Sequence, residues 1–397
     1  RKLSFFNARI VSLTFGQHFR NLMLKHVLLP VLGITLLTAL AGSAQTFEDR
    51  RQQYVSTALA NFDNDAITIQ AYEGVTVDQP SLDAIFNVMT TRTTIDFAIV
   101  QLVRVMMLSN GAYDAQIIPA LNSVPYWINN FDTTRGYWSE NHTIMWMSSD
   151  WIMHEYTGRP ADPTLEQRLK HYLQVKIDYG YYEYFSSTYA PSALSGILNL
   201  ADFAIDQEIK NLAIGAAKRL LRDMLMVTNN QGVFFPSAGR NYPGKYETAY
   251  GQNHSSLIWL LTGLGPAPST ASHSGGFLAT TSIDFSDVTE SWTAELDTVA
   301  HLGHTLDEGF VINQALNDLD RTIAQWSSGS YFHPLVITET VSLLNDSNMW
   351  DHVDFEELTP FEGFPLEQYP SLAEGLSGLS KSSVNCKADI AIFKNGP

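Results

Sequence analysis

Between Trp138 and Trp146 the chain places Ser139, Glu140, Asn141, His142 and Thr143 in succession, setting an acid, an amide and an imidazole side by side. Tryptophan faces stack on sugar rings, an amide donates hydrogen bonds to a carboxylate, and neutral histidine is the usual general base near neutral pH. Such a set can hold a sugar and take a proton from it. The plainer reading is a helix start, since Ser139 is a favoured N-cap residue and aromatics at helical spacing more often pack in a core. If Ser139 does cap a helix, Asn141 and His142 fall in its first turn, where unpaired N–H groups and the helix dipole favour an anion. A substrate carboxylate would be partly neutralised there, and the same field favours the neutral, proton-accepting imidazole. Trp138 then keeps a stacking role, while Trp146 continues into the core.

A second chemical group follows downstream. Residues Tyr184 to Pro191 lead into an apolar helix, so Tyr189 sits at an element boundary. A phenol is a suitable general acid and can return a proton to a leaving glycosidic oxygen; packed over the helix end, it would be structural. Two long connections, Ser109–Arg135 and Asn229–Tyr250, are rich in aromatic and polar residues, and such loops on a helical scaffold are usually functional. They make Trp127, Tyr242 and Tyr250 candidate sugar contacts and supply Arg240 as a candidate cation. Another Asn-His pair, Asn253-His254, either lines the same cleft or opens its own helix.

The elements that must position these groups are helices. The apolar periodicity predicts Phe47–Phe62, Ser81–Thr93, Ile95–Leu108, Ser139–Tyr156, Pro163–Asp178, Pro191–Asp206, Gln207–Val227 and Gln252–Thr262. Helix follows helix with almost no strand signal between, which predicts helical hairpins in series and an incomplete (α/α) toroid. No fixed-period repeat is present, which disfavours a binding solenoid. After the Gly/Pro/Ser-rich stretch from Gly265 to Gly276 the helical signal weakens. Tyr331–Leu344 fits helix or strand, and Phe355–Leu379 is dotted with Pro and Gly. Residues 331–397 therefore read as a linker and the start of a β region cut short. Its last apolar run, Ile390–Phe393, reads as a strand lacking its partner.

Residues Met23–Ala44 have the basic start, apolar run and small-residue end of a secretory signal peptide. Met23 is then the true start, cleavage follows Ala44, and residues 45–330 form the catalytic domain. The run is shorter than the ~20 apolar residues of a spanning helix, so a retained membrane anchor is the weaker alternative. This places the protein in the periplasm or outside the cell. The formal charge is −17, and the leader holds five basic groups and no acid, so residues 45–397 are more acidic still. Nucleic acid is accordingly an unfavourable partner. The single Cys386 excludes disulfide stapling and multi-cysteine metal sites within the sequence. A cluster of His301, His304, Asp307 and Glu308 suits a loop or helix surface better than a metal site. No GxSxG, HExxH or P-loop occurs, which leaves esterase, zincin and nucleotide-hydrolysing functions without support.

An Asn-His pair followed by Trp on one helix, with a Tyr at the head of a later helix, resembles the α/α-toroid polysaccharide lyases. The resemblance is greatest to the alginate lyase type and looser to the heparinase and chondroitin lyase types, over roughly residues 90–265. It implies β-elimination on an acidic polysaccharide without metal or other cofactor. It also implies the roles: Asn141 on the uronate carboxylate, His142 on the C5 proton, Tyr189 on the leaving oxygen, and Arg240 assisting. Glu140, a candidate substrate contact, stands where the alginate lyase pattern has a second amide. Two alternatives remain: a glycoside hydrolase using a carboxylate pair drawn from Glu140, Asp150, Glu155 and Glu183, and a non-catalytic glycan-binding protein.

Overall fold

The computed structural model describes residues 45–397 except 127–131, 133, 138, 182, 184–185, 235–248, 295–298, 304–333, 354, 356–358, 361, 366–367, 369–370, 372–388 and 394–397. The leader, 1–44, lies outside the described residues. The elements below all fall in the unit Phe47–Pro397.

This unit is mainly helical. In chain order it holds α1 (Phe47–Ala60), α2 (Ile67–Tyr72, after a 3-10 turn at Asn64–Ala66), α3 (Gln79–Thr91), α4 (Asp96–Leu108) and α5 (Asp114–Asn122). These are followed by α6 (Glu140–Thr157), α7 (Leu165–Tyr179), α8 (Tyr189–Phe203), α9 (Gln207–Met226), α10 (His254–Thr262), α11 (His273–Ala279), α12 (Ser286–Ala294) and α13 (Pro334–Ser347). Two short strands, β1 (Val299–Gly303) and β2 (Asp389–Phe393), pair antiparallel with Val299 opposite Phe393. The run at Ile390–Phe393 therefore has its partner within the chain. Tyr331–Leu344, ambiguous by periodicity, is helical from Pro334. Among the described residues no helix is long and apolar enough to cross a membrane.

Several helix starts are written in the sequence as caps. Ser139 is extended and its side chain accepts from the His142 N–H; Asp78 and Asp206 do the same for α3 and α9. Arg50 of α1 closes a helix end from outside, donating from Nε to the Leu260 carbonyl at 2.8 Å and from Nη2 to that of Leu261 at 2.7 Å.

Two helices fall where periodicity predicts connections. The Ser109–Arg135 segment contains α5, which tolerates Pro119 in its interior against the usual penalty. The Ser/Gly-rich stretch contains α11, where glycine serves close packing: a Cβ on Gly276 would sit 2.9 Å from Thr68 Oγ1, and one on Gly275 would collide with the Tyr54 hydroxyl.

Five helices make a closed series of neighbours: α2 packs on α4, α4 on α6, α6 on α8, α8 on α11, and α11 back on α2. The other helices flank them, α7 against α6 and α9, α10 against α1 and α11. Side chains from α6 show which helices are innermost, since Glu140 through Met153 are buried without a break. The helices α6 and α8 approach each other closely. A Cβ on Gly196 would lie 2.9 Å from Ser148 Oγ and 3.2 Å from Met145 Cα, so any larger residue there would push the two helices apart.

Candidate functional site

Four helices of the series, α4, α6, α8 and α11, share one direction. Gly196 of α8 sits beside Met145 and Ser148, while further along the backbone N–H groups of Ile205 and Asp206 donate to Glu155 at 2.7 and 2.8 Å; α6 and α8 are thus parallel. Asn199 donates to the Val100 carbonyl at 3.0 Å and accepts from Arg104 at 3.1 Å, which aligns α4 with α8. Arg104 also reaches the Phe277 carbonyl and Thr280, which aligns α11. The amino ends of α4, α6, α8 and α11 consequently lie together, and with them Asp96, His142, Tyr189 and His273.

His142 Nδ1 lies 2.6 Å from Asp96 Oδ2. Its side chain is 8% exposed and that of Asp96 is fully enclosed; Phe97 meets the ring edge-on at 5.5 Å. Tyr189, the first residue of α8, is also 8% exposed. Its backbone N–H donates to Ser186 Oγ at 3.1 Å. Pro191 follows in the first turn of α8, where its missing N–H leaves no intrahelical bond unmade. Burial lowers the His273 pKa, with Asp65 and Asp96 opposing the shift. Gln101 donates to Asp65 Oδ1 at 3.1 Å. Polar atoms here are incompletely matched, since Asp96 Oδ1, Asn141 Oδ1, His273 Nε2 and Thr68 Oγ1 are all buried without a hydrogen-bond partner.

Asn141 and Glu140 are placed differently from the sequence expectation. Both are buried, at 0% and 1% exposure. Asn141 Nδ2 donates to Ser139 Oγ and to Glu183 Oε2, each at 2.8 Å, and its backbone N–H donates to the same Glu183 oxygen at 3.1 Å. The anion at the amino end of α6 is therefore Glu183, which occupies the place assigned to a substrate carboxylate. Glu140 is ion-paired with Lys176, which is fully buried, and accepts from the Glu183 N–H at 2.6 Å. Burial raises its carboxyl while Lys176 pulls it down. This chain from Lys176 through Glu140 and Glu183 to Asn141 ties the segment before Tyr189 to the start of α6. Glu140 is thus a structural anchor and not a sugar contact.

His254 is likewise a core residue. It stacks on Phe234 with ring centroids 4.0 Å apart and is 1% exposed, and burial lowers it to about 3. Tyr250 is 38% exposed and donates to the Gln231 carbonyl at 3.0 Å. Trp127, Trp138, Arg240 and Tyr242 lie outside the described residues, as do His304, Asp307 and Glu308. Trp146 is core, donating to the Gly136 carbonyl at 2.9 Å.

The remaining carboxylates proposed for hydrolysis are dispersed. Asp150 lies eight residues beyond His142, roughly 12 Å along the helix, and is paired with Arg159. Glu155 caps the turn between α8 and α9. No group of three or more His, Cys, Asp or Glu side chains among the described residues can hold a metal ion. A groove of about 490 Å³ lined by Phe86, Met89, Ile95, Val124 and Arg135 opens between α3 and α5, and neither His142 nor Tyr189 lines it.

Asp96 and His273 escaped the sequence reading. Nothing near either residue marks it: helix packing brings Asp96 to His142 across 46 residues and brings His273 within electrostatic reach of Asp96 from more than a hundred residues away. The chain matches no family model, no curated protein and no solved structure.

Proposed function

We propose that this chain is a polysaccharide lyase that cleaves a uronate-containing glycan by β-elimination, on a scaffold of the α/α-toroid type. The observation that carries the reading is that His142 and Tyr189 both lie in the first turns of adjacent parallel helices, nearly but not wholly enclosed. A base and a phenol so placed suit the two proton transfers of an elimination. His142 takes the C5 proton, the electron pair forms the C4–C5 double bond, the C4–O bond breaks, and Tyr189 gives its proton to the departing oxygen. The closed series from α2 to α11 supports the toroid assignment, and the leader supports export from the cytoplasm.

The reading changes in one respect from the resemblance. Both N–H bonds of the Asn141 amide are committed to protein acceptors, so neutralisation of the substrate carboxylate falls to a cation, and Arg240 is the residue assigned to it. Elimination is favoured over hydrolysis because Glu140, Asp150, Glu155 and Glu183 each hold protein groups and form no open acid–base pair across a cleft.

Incubation with alginate, hyaluronan, chondroitin and heparan sulfate tests this. A lyase generates the ultraviolet absorbance of a 4,5-unsaturated uronate from at least one of them. New reducing ends without that absorbance would identify a hydrolase instead, and no reaction with any uronate polymer would remove the proposal.

A further inference from the structure

We propose that Asp96 is a positioning residue that holds His142 as the Nδ1–H tautomer, so that the ring lone pair lies on Nε2. Its catalytic meaning rests on the elimination reading, but the tautomer is a property of the resting protein.

The argument begins with donor and acceptor types. An ionised carboxylate only accepts hydrogen bonds, so the ring nitrogen 2.6 Å from Asp96 Oδ2 must carry the proton. A lone pair on that nitrogen would face the lone pairs of an anion. Asp96 is the first residue of α4. A carboxylate there commonly turns back onto an N–H of its own helix. Here one oxygen crosses to α6, and the other has no hydrogen-bond partner although it is buried. Asp96 is therefore spent on His142 and not on capping α4. Phe97, the next residue, packs its ring against the same imidazole, so the start of α4 fixes both the rotation and the protonation of the base. Leaving Oδ1 unmatched costs stability, which is characteristic of a residue retained for function.

The test uses the full chain labelled with 15N-histidine, with the His142 resonances assigned by their disappearance in His142→Gln. Long-range 1H–15N spectra at neutral pH should show His142 protonated on Nδ1 and bare on Nε2. In Asp96→Asn, whose amide can donate to Nδ1, that preference should be lost. The turnover number should fall roughly 10²- to 10⁴-fold, with KM little changed. An Nε2–H tautomer in the unsubstituted protein would overturn the proposal, as would an Asp96→Asn variant that keeps both tautomer and turnover. The expected tautomer and its loss in Asp96→Asn, in a protein that forms no unsaturated product, would support the positioning and overturn only the elimination reading.

Discussion

Asp96 and Arg104, at the start and towards the end of α4, treat buried charge in opposite ways. Towards the carboxyl end, Arg104 is fully enclosed, yet every side of its guanidinium is met. It donates to Thr280 Oγ1, Asn199 Oδ1, Asp202 Oδ2 and the Phe277 carbonyl at 2.7 to 3.1 Å, and lies within 5.3 Å of the Phe203 and Phe277 ring centroids. The second oxygen of Asp202 accepts from Thr281 and Ser282. At the amino ends, Asp96 is as deeply buried and His273 is partly buried, and each keeps an unmatched polar atom. A saturated charge network locks helices together, whereas an unsaturated one costs stability. The contrast marks Arg104 as structural and Asp96 as the charge to test for chemistry.

Substitutions should divide along the same line. Arg104→Met removes the cation and leaves Asp202 buried against uncharged neighbours, which should cost about 3–5 kcal/mol in urea unfolding. A loss below 1 kcal/mol there would erase the contrast. Next in size is an acid effect from His254. Its folded pKa is about 3, against ~6.5 in the unfolded chain, so between those values only the unfolded form binds the proton. Stability must fall as pH drops through this window, by roughly 3 kcal/mol at pH 4.5. His254→Leu should flatten that slope between pH 7 and 4.5, and an unchanged slope would place the acid sensitivity elsewhere. The smallest stability effect is expected at the chemical end, where Asp96→Asn should shift unfolding by less than about 1 kcal/mol in either direction. A large destabilisation would mark Asp96 as structural.

Much of the scaffold was legible because its helices carry wide apolar faces and explicit caps, such as Ser139, Asp78 and Asp206. Of the helices missed, α2 is too short to show a period, α12 lies where the helical signal weakens, and α5 and α11 have a composition that argues for a turn. Pro119 disguises α5, and Gly275-Gly276 disguises α11, where the small residues answer Tyr54 and Thr68 from other helices. The placement of the candidate residues was half legible. His142 and Tyr189 stand out because helix ends are visible locally, and both helices start close to the expected residues. The roles of Glu140 and Asn141 were not legible, since they depend on Lys176 and Glu183, brought in from 36 and 43 residues away. Polar side chains at a helix start look alike in sequence whether they face a substrate or another part of the chain. His254 illustrates the same point: an Asn-His pair identical in type to Asn141-His142 is stacked on Phe234 in the core.

The central claim is that His142 and Tyr189 carry out an elimination. The most direct measurement is the ultraviolet absorbance of unsaturated uronate released by the unsubstituted protein, His142→Ala and Tyr189→Phe, on whichever polysaccharide of the panel reacts fastest. The account predicts a steady rise for the first and loss of the signal for both variants, with their unfolding transitions preserved. Full activity in either folded variant would contradict it.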